Sequence, residues 1–271
     1  MKRKEFIRRA LPAFLLLANG KIVKAHDYWL TAERKKQIRL RFAIASDGHY
    51  GEEGTDYERY FSAIVSALNR EHRRHPLAFT VINGDISHDD KNYLPPAKTA
   101  LDQLSARYYV SKGNHDKVTP EEWESIWGMP VNLDFTIGKN AFLVGTSSDE
   151  KGTYQCPDLR WLGAKLEEHK DRNVFIFIHI NPAGMTNNAV NCEELFELFG
   201  NYKNIKAVFN GHDHDQEGIK VRNNIPFIFD AHFGGSWGTS YHGFRVVEIM
   251  KDNSIFTYIM DPDEIINKAT L

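Results

Sequence analysis

Five times along this chain an apolar run of strand length stops at a short cluster of glycine, aspartate, asparagine and histidine. The runs end at Ser46 before Asp47-Gly48-His49, at Asn83 before Gly84-Asp85, at Lys112 before Gly113-Asn114-His115-Asp116, at Ile178 before His179, and at Asn210 before Gly211-His212-Asp213-His214. In the second of them Leu77, Phe79, Val81 and Ile82 suit a buried strand, and Gly84 lets the backbone approach another group closely. Asp85 then projects from the strand's C-terminal end, where open α/β sheets place their ligands. One Gly-Asp pair after a strand is also an ordinary turn. Five such ends in one chain demand a fold that delivers several strand termini carrying oxygen and nitrogen donors.

The intervening sequence supplies the helices. Tyr60, Phe61, Ile64, Val65 and Leu68 recur at helical spacing behind Asp56 as cap. Pro95-Pro96 fits the first turn of a helix running to about Ser105. Thr119 caps a helix that buries Trp123 and Trp127. Residues 132–137 and 141–147 read as a β-hairpin that starts a second sheet. A helix follows over residues 157–170, and the apolar residues 174–178 suit the centre of a sheet. Asn191 with Glu194 reads as a capping box for a helix through Phe199. Segments 218–221, 225–229, 244–250 and 255–260 alternate as strands and are expected to complete the second sheet. The Gly234 to Gly238 loop between them, flanked by His232 and His242, is read as bordering the site.

Composition limits the function classes. With 271 residues, 42% hydrophobic and 26% charged, the chain is an ordinary globular protein rather than a disordered or membrane-spanning one. A formal net charge of −2 offers no basic field for a nucleic-acid polymer. Lys2, Arg3, Lys4, Arg8 and Arg9 precede the apolar stretch 10–18, which breaks at Asn19-Gly20 before Val23-Lys24-Ala25. That is the pattern of an export signal over residues 1–25, with one domain over residues 26–271. The stretch falls far short of the ~20 residues a membrane span needs, so no stable anchor is expected. A secreted or periplasmic location follows, with the cytoplasm as the alternative. Cys156 and Cys192 lack the spacing of a zinc or redox motif and read as buried free thiols, pairing remaining open if the chain is exported.

Carboxylates, imidazoles and one amide, with no thiolate, suit divalent manganese, iron or zinc. Asp47, His49, Asp85, Asn114, His179, His212 and His214 are too many for one tetrahedral ion, and Asp85 is the natural bridge between two.

The ordered set Asp47-Gly48-His49, Gly84-Asp85, Gly113-Asn114-His115-Asp116, His179 and Gly211-His212-Asp213-His214 resembles the calcineurin-like metallophosphoesterase family. The resemblance implies an α/β fold, a four-layer αββα sandwich of two mixed sheets flanked by helices. It also implies that Asp47, His49, Asp85 and His214 hold one metal ion while Asp85, Asn114, His179 and His212 hold the other. Water activated between the ions would then cleave a small phosphate ester, with His115 protonating the leaving group. The family often carries an acid shortly after the bridging aspartate. Here the third following residue is His88 and the fourth is Asp89, and Asp89 is taken as the partner that orients His115. Phosphodiesters, cyclic-nucleotide or nucleotide-type, are the expected substrates. Phosphomonoesters or nucleotide diphosphates on the same site are the alternative, and a noncatalytic metal-binding scaffold is the third.

Overall fold

Period-two alternation decides the layers. The structure, a computed structural model, describes residues 15–18, 21–24, 32–230, 232–261 and 264–271. The expected export signal lies outside these residues except for a strand pair, β1 (Leu15–Ala18) and β2 (Lys21–Lys24). From there the chain runs α1 (Ala32–Gln37), β3 (Ile38–Ala45), α2 (Tyr57–Arg74), β4 (Thr80–Asn83), α3 (Leu94–Leu101), β5 (Tyr108–Ser111) and α4 (Pro120–Trp127). It continues through β6 (Leu133–Ile137), β7 (Asn140–Gly145), α5 (Leu159–Glu168), β8 (Asn173–Ile178), α6 (Glu193–Gly200) and β9 (Ile205–Asn210). The last strands are β10 (Gly218–Arg222), β11 (Ile225–Phe229), β12 (Phe244–Met250), β13 (Ile255–Asp261) and β14 (Glu264–Thr270).

One sheet has the order β14-β13-β12-β3-β4-β5 and the other β10-β11-β9-β8-β7-β6. In β3, Leu40, Phe42 and Ile44 face the opposite sheet, where they meet Phe175, Phe177 and Phe209. Ala43 and Ala45 face the other way, toward Phe61, Leu68, Leu101 and Trp123 of the helices. In β8 the same alternation puts Val174, Ile176 and Ile178 against Leu162, Leu166, Leu195 and Phe199. Two sheets with apolar residues on both faces therefore need helices outside and each other inside, which is the expected αββα sandwich. Between the sheets Phe42 stacks on Phe79 with centroids 4.8 Å apart and meets Phe142 edge-on at 5.5 Å.

The strands that carry the site run parallel: β3 beside β4 beside β5, and β7 beside β8 beside β9 beside β11. Their C-terminal ends come out on one rim. Several local expectations need correction. The late strands do not all complete the second sheet, because β12, β13 and β14 join the first through an antiparallel pairing of β12 with β3. Alternation reports which faces a strand buries, not which edge it joins. Helix α3 ends at Leu101, where the Asp102 carboxylate accepts hydrogen bonds from Lys98 and Tyr108 and turns the chain before Ser105. Asp56 sits at the N-cap of α2, but its carboxylate pairs with Arg59 at 3.0 Å instead of capping. The Asn191 capping box does not form: the Asn191 backbone bridges to Ala183, and Cys192 is the N-cap. Thr119 and Glu122 do form a capping box, and Trp123 and Trp127 are buried.

Cys156 and Cys192 are joined in a disulfide, with Cα atoms 5.6 Å apart across 36 residues of sequence. Of the two states the sequence left open, free thiols or a pair, the structure has the pair. The bond ties the loop before α5 to the start of α6. Closing a loop of that length restricts the unfolded chain by ~3–4 kcal/mol in the chain-entropy account. A Cys156→Ala/Cys192→Ala double variant is expected to lose about that much stability in a denaturant titration, and an unchanged midpoint would contradict it.

Candidate metal centre

Tight turns at the rim put the donors in place. Asp47, His49, Asp85, Asp89 and His212 account for five of the nine non-glycine residues with positive φ among the described residues. Such backbone costs of order 1–3 kcal/mol per residue and persists only where the surroundings fix it. Here the Asp85 carbonyl accepts from the Gly48 and His49 amides at 2.9 and 3.0 Å, which locks the β3 turn onto the β4 turn. The amide of His212 donates to the Asp47 carboxylate at 3.0 Å and binds the second sheet to the first. Several of these turns have room only for glycine. A Cβ on Gly113 would fall 2.2 Å from Asp85 Oδ1, and one on Gly84, at φ +85°, would fall 2.4 Å from the His179 ring.

The seven residues read as ligands meet on this rim. Asp47, His49 and His214 form one group with donor atoms within 4.8 Å of one another, and Asp85, His179 and His212 form a second. Asp85 Oδ2 lies 3.0 Å from His179 Nε2 and 3.9 Å from His49 Nε2, so this carboxylate stands between the groups. His214 Nε2 lies 3.1 Å from Asp47 Oδ1 and 3.0 Å from His49 Nε2. Beside Asp85 two buried side-chain atoms, Asn114 Oδ1 and His212 Nε2, have no hydrogen-bond partner, while His179 Nε2 faces Asp85 Oδ2. An unsatisfied buried polar atom costs ~1–3 kcal/mol, and a bound cation would satisfy both. The set fits divalent cations in number, donor type and orientation.

Outer partners orient the imidazoles. His179 Nδ1–H donates to the Asn83 carbonyl at 2.7 Å and His214 Nδ1–H to the Trp237 carbonyl at 3.1 Å, which leaves each Nε2 turned inward. Burial disfavours charge on His179, yet the Asp85 and Asp47 carboxylates outweigh it and raise that pKa to about 10. Burial likewise opposes charge on Asp85, but His179, through its charge and hydrogen bond, and His49 hold it well below the carboxylate range. The carboxylates thus favour positive charge beside them, while burial keeps His49 and His212 below the usual imidazole range.

At the mouth, His115 Nδ1–H donates to Asp89 Oδ1 at 2.8 Å, and Lys117 Nζ reaches the same oxygen at 2.7 Å. Burial would raise Asp89, but Lys117 and His115 keep it below its ordinary value, so it is ionised at neutral pH. His88 takes a different part: its Nδ1 is 2.9 Å from His49 Nδ1, and its ring stacks on His115 with centroids 5.0 Å apart.

Three supports escaped the sequence reading. Asn83 donates from Nδ2 to the Phe209 carbonyl at 3.2 Å and accepts from Ser111 Oγ, cross-linking the sheets under Asp85. Asp116 is fully buried and accepts from the amides of Ile86, Ser87 and Gly113 at 2.7–2.9 Å, joining the β4 turn to the β5 turn. Burial and the neighbouring Asp85 charge push its carboxyl up to about 6. Its place in Asn114-His115-Asp116 was visible, but not that it serves backbone amides. His88 is the third, hidden because sequence adjacency to Asp89 does not say which side chain reaches His115. The Gly234 to Gly238 loop does border the site: the Gly234 amide donates to the Asp47 carbonyl at 3.0 Å, and Trp237 covers His214.

A sequence model described as calcineurin-like phosphoesterase matches residues 40–216. The serine/threonine-protein phosphatase CPPED1 of Bos taurus is 29% identical over 240 residues, covering 77% of this chain and 75% of that protein. A 3′,5′-cyclic-nucleotide phosphodiesterase of Nostoc sp. is 25% identical over 234 residues, 76% of this chain and 84% of its own. Among solved structures, a dimetal phosphatase from Danio rerio aligns over 86% of this chain and 98% of its own, with TM-score 0.69 and 15% identity, a likeness of fold.

Proposed function

The chain belongs to the calcineurin-like phosphoesterase family and is a hydrolase of phosphate esters, and from that premise we propose a binuclear enzyme that prefers phosphodiesters, cyclic-nucleotide or nucleotide-type. The observation that carries the binuclear part of this reading is the meeting of two donor groups at Asp85, beside the unpartnered Asn114 Oδ1 and His212 Nε2. Asp47, His49, Asp85 and His214 would hold one divalent ion and Asp85, Asn114, His179 and His212 the other, with manganese, iron or zinc suiting these donors. Bound there, two such ions supply a water acidic enough to ionise near neutral pH and neutralise charge on the phosphate oxygens.

The chain's own residues do the rest. The His115 amide donates to Asp85 Oδ1 at 2.8 Å, which fixes the general acid against the shared carboxylate. With Nδ1–H committed to Asp89, Nε2 of His115 is the atom left to protonate a departing alkoxide. The ionised Asp89 stabilises the imidazolium that this step needs. His115→Ala is expected to lower kcat ~10²–10⁴-fold on esters with alkoxide leaving groups. The loss should be far smaller on p-nitrophenyl esters, whose leaving group departs unprotonated; equal loss on both would remove His115 from the acid role.

The activities named for the relatives, one a phosphatase and one a cyclic-nucleotide phosphodiesterase, support ester hydrolysis without choosing the ester. The deciding experiment is a panel of cyclic nucleotides, nucleotide diphosphates, glycerophosphodiesters and monoesters assayed with each metal. Faster turnover of monoesters would replace the diesterase reading, and metal uptake without hydrolysis of any ester would favour the noncatalytic scaffold.

Export is the matching proposal for location. It is supported by the basic and apolar N-terminal pattern and by the disulfide, which persists in oxidising compartments. No helix among the described residues is long and apolar enough to cross a membrane. A mature N-terminus near residue 26 on the purified protein is the expected check, and an intact Met1 would oppose it.

A further inference from the structure

Among the described residues the exposed large hydrophobic side chains are Tyr154, Val221 and Trp237, and two of these three stand against candidate metal ligands. Trp237 lies flat on His214, with centroids 4.1 Å apart and planes 5° from parallel, and its ring is 5.1 Å from His49. Tyr154 meets His212 edge-on at 5.0 Å. Each donor group thus carries one aromatic side chain, His214 in the first and His212 in the second. Trp237 is 45% and Tyr154 44% exposed, so burial does not account for either.

Both are held in place. The Trp237 carbonyl anchors His214, the amide of Thr239 donates back to the His214 carbonyl at 3.1 Å, and Ser236 Oγ donates to the buried Glu52 at 2.5 Å. Tyr154 is bridged to Ser148 and lies two residues before the disulfide at Cys156. Fixed, exposed ring faces beside a phosphate-ester site are what base stacking requires, because a flat π-system gains dispersion and desolvation on such a face irrespective of its edge groups.

We infer that Trp237 is a stacking platform for a flat ring carried by the phosphate ester, a nucleobase or an aryl group, with Tyr154 as the second wall, so that Trp237 sets specificity for ring-bearing over ring-free diesters. This rests on the diesterase reading and names its substrate class. The residue is a specificity determinant and takes no part in bond cleavage.

The test compares a 3′,5′-cyclic nucleotide and bis(p-nitrophenyl) phosphate with a glycerophosphodiester. Trp237→Leu keeps an apolar side chain without the ring. It should lower the ratio of kcat/KM for the cyclic nucleotide over the glycerophosphodiester ~5- to 150-fold, through KM rather than kcat, the range expected for one base on one aromatic side chain. Trp237→Phe should restore most of the ratio, and Tyr154→Ala should lower it independently if Trp237→Leu misfolds. A parallel loss on the aryl diester assigns the platform to any flat ring; a loss on the cyclic nucleotide alone assigns it to a nucleobase. Binding gives a second readout: a nucleoside monophosphate should quench the tryptophan fluorescence of the wild type and not of Trp237→Phe, while glycerol phosphate quenches neither. Ring-specific quenching without diester hydrolysis would overturn the diesterase reading alone. Hydrolysis with an unchanged ratio and no ring-specific quench would overturn the platform alone.

Discussion

Asp85→Asn is expected to lower turnover of phosphate esters by ~10³-fold or more and to reduce bound divalent metal below two ions per chain. The magnitude follows from position. Removing one charge-stabilising group from a dry site costs ~10²–10³-fold, and this carboxylate stands between both donor groups, so its loss weakens two ions at once. Asparagine is nearly isosteric and still accepts the His115 amide bond seen at 2.8 Å, which separates lost charge from lost structure. Metal content by elemental analysis is the independent readout. A variant that kept two ions and lost only activity would place Asp85 outside the bridge.

Arg245→Ala is expected to destabilise the fold by ~3–5 kcal/mol, the cost of leaving a buried charge without its partner. Arg245 belongs to β12 in the first sheet, and its Nε pairs with Asp230 just after β11 in the second, with the side chains 1% and 2% exposed. Its other nitrogens donate to Thr257 Oγ1 and the Phe229 carbonyl, both at 3.0 Å. Burial pushes the Asp230 carboxyl up to about 6 even against the pull of Arg245. A raised folded pKa means the folded state prefers the protonated acid, so Asp230 costs stability as pH rises from about 4 in the unfolded chain through 6. Without Arg245 that cost grows, and the deficit should be larger at pH 8 than at pH 5. Chemical denaturation at the two pH values measures it. An equal loss at both would mean that Arg245 acts through packing and its two other hydrogen bonds, not through Asp230.

Much of the site was legible because it is written in strand ends. A buried strand forces period two, and a donor placed just after its last apolar residue must emerge at the rim; Asp47, Asp85, His179 and His212 all do. What escaped depends on the partner rather than the pattern. The apolar faces of β12 fit either sheet, and only the pairing of Val246 with Ala43 and its neighbours decides which. Cys156 and Cys192 meet because the chain between them folds through β8, a distance that spacing alone does not encode. His88 and Asp89 compete for His115 from adjacent positions; the positive φ of 62° at Asp89 accompanies its approach, while His88 turns to His49. Asn83 reads as the last residue of a strand, yet its amide joins the sheets. Trp237 sits in a glycine-rich loop with no periodicity to mark which face of the ring is covered.

The central claim is that Asp85 lies between two cations at the common rim of the sheets. Anomalous scattering from crystals grown with manganese or zinc tests it directly. The expected result is two peaks ~3.5–4 Å apart on either side of the Asp85 carboxylate, one beside Asp47, His49 and His214 and the other beside Asn114, His179 and His212. A rim without peaks, or a single peak away from Asp85, would contradict it.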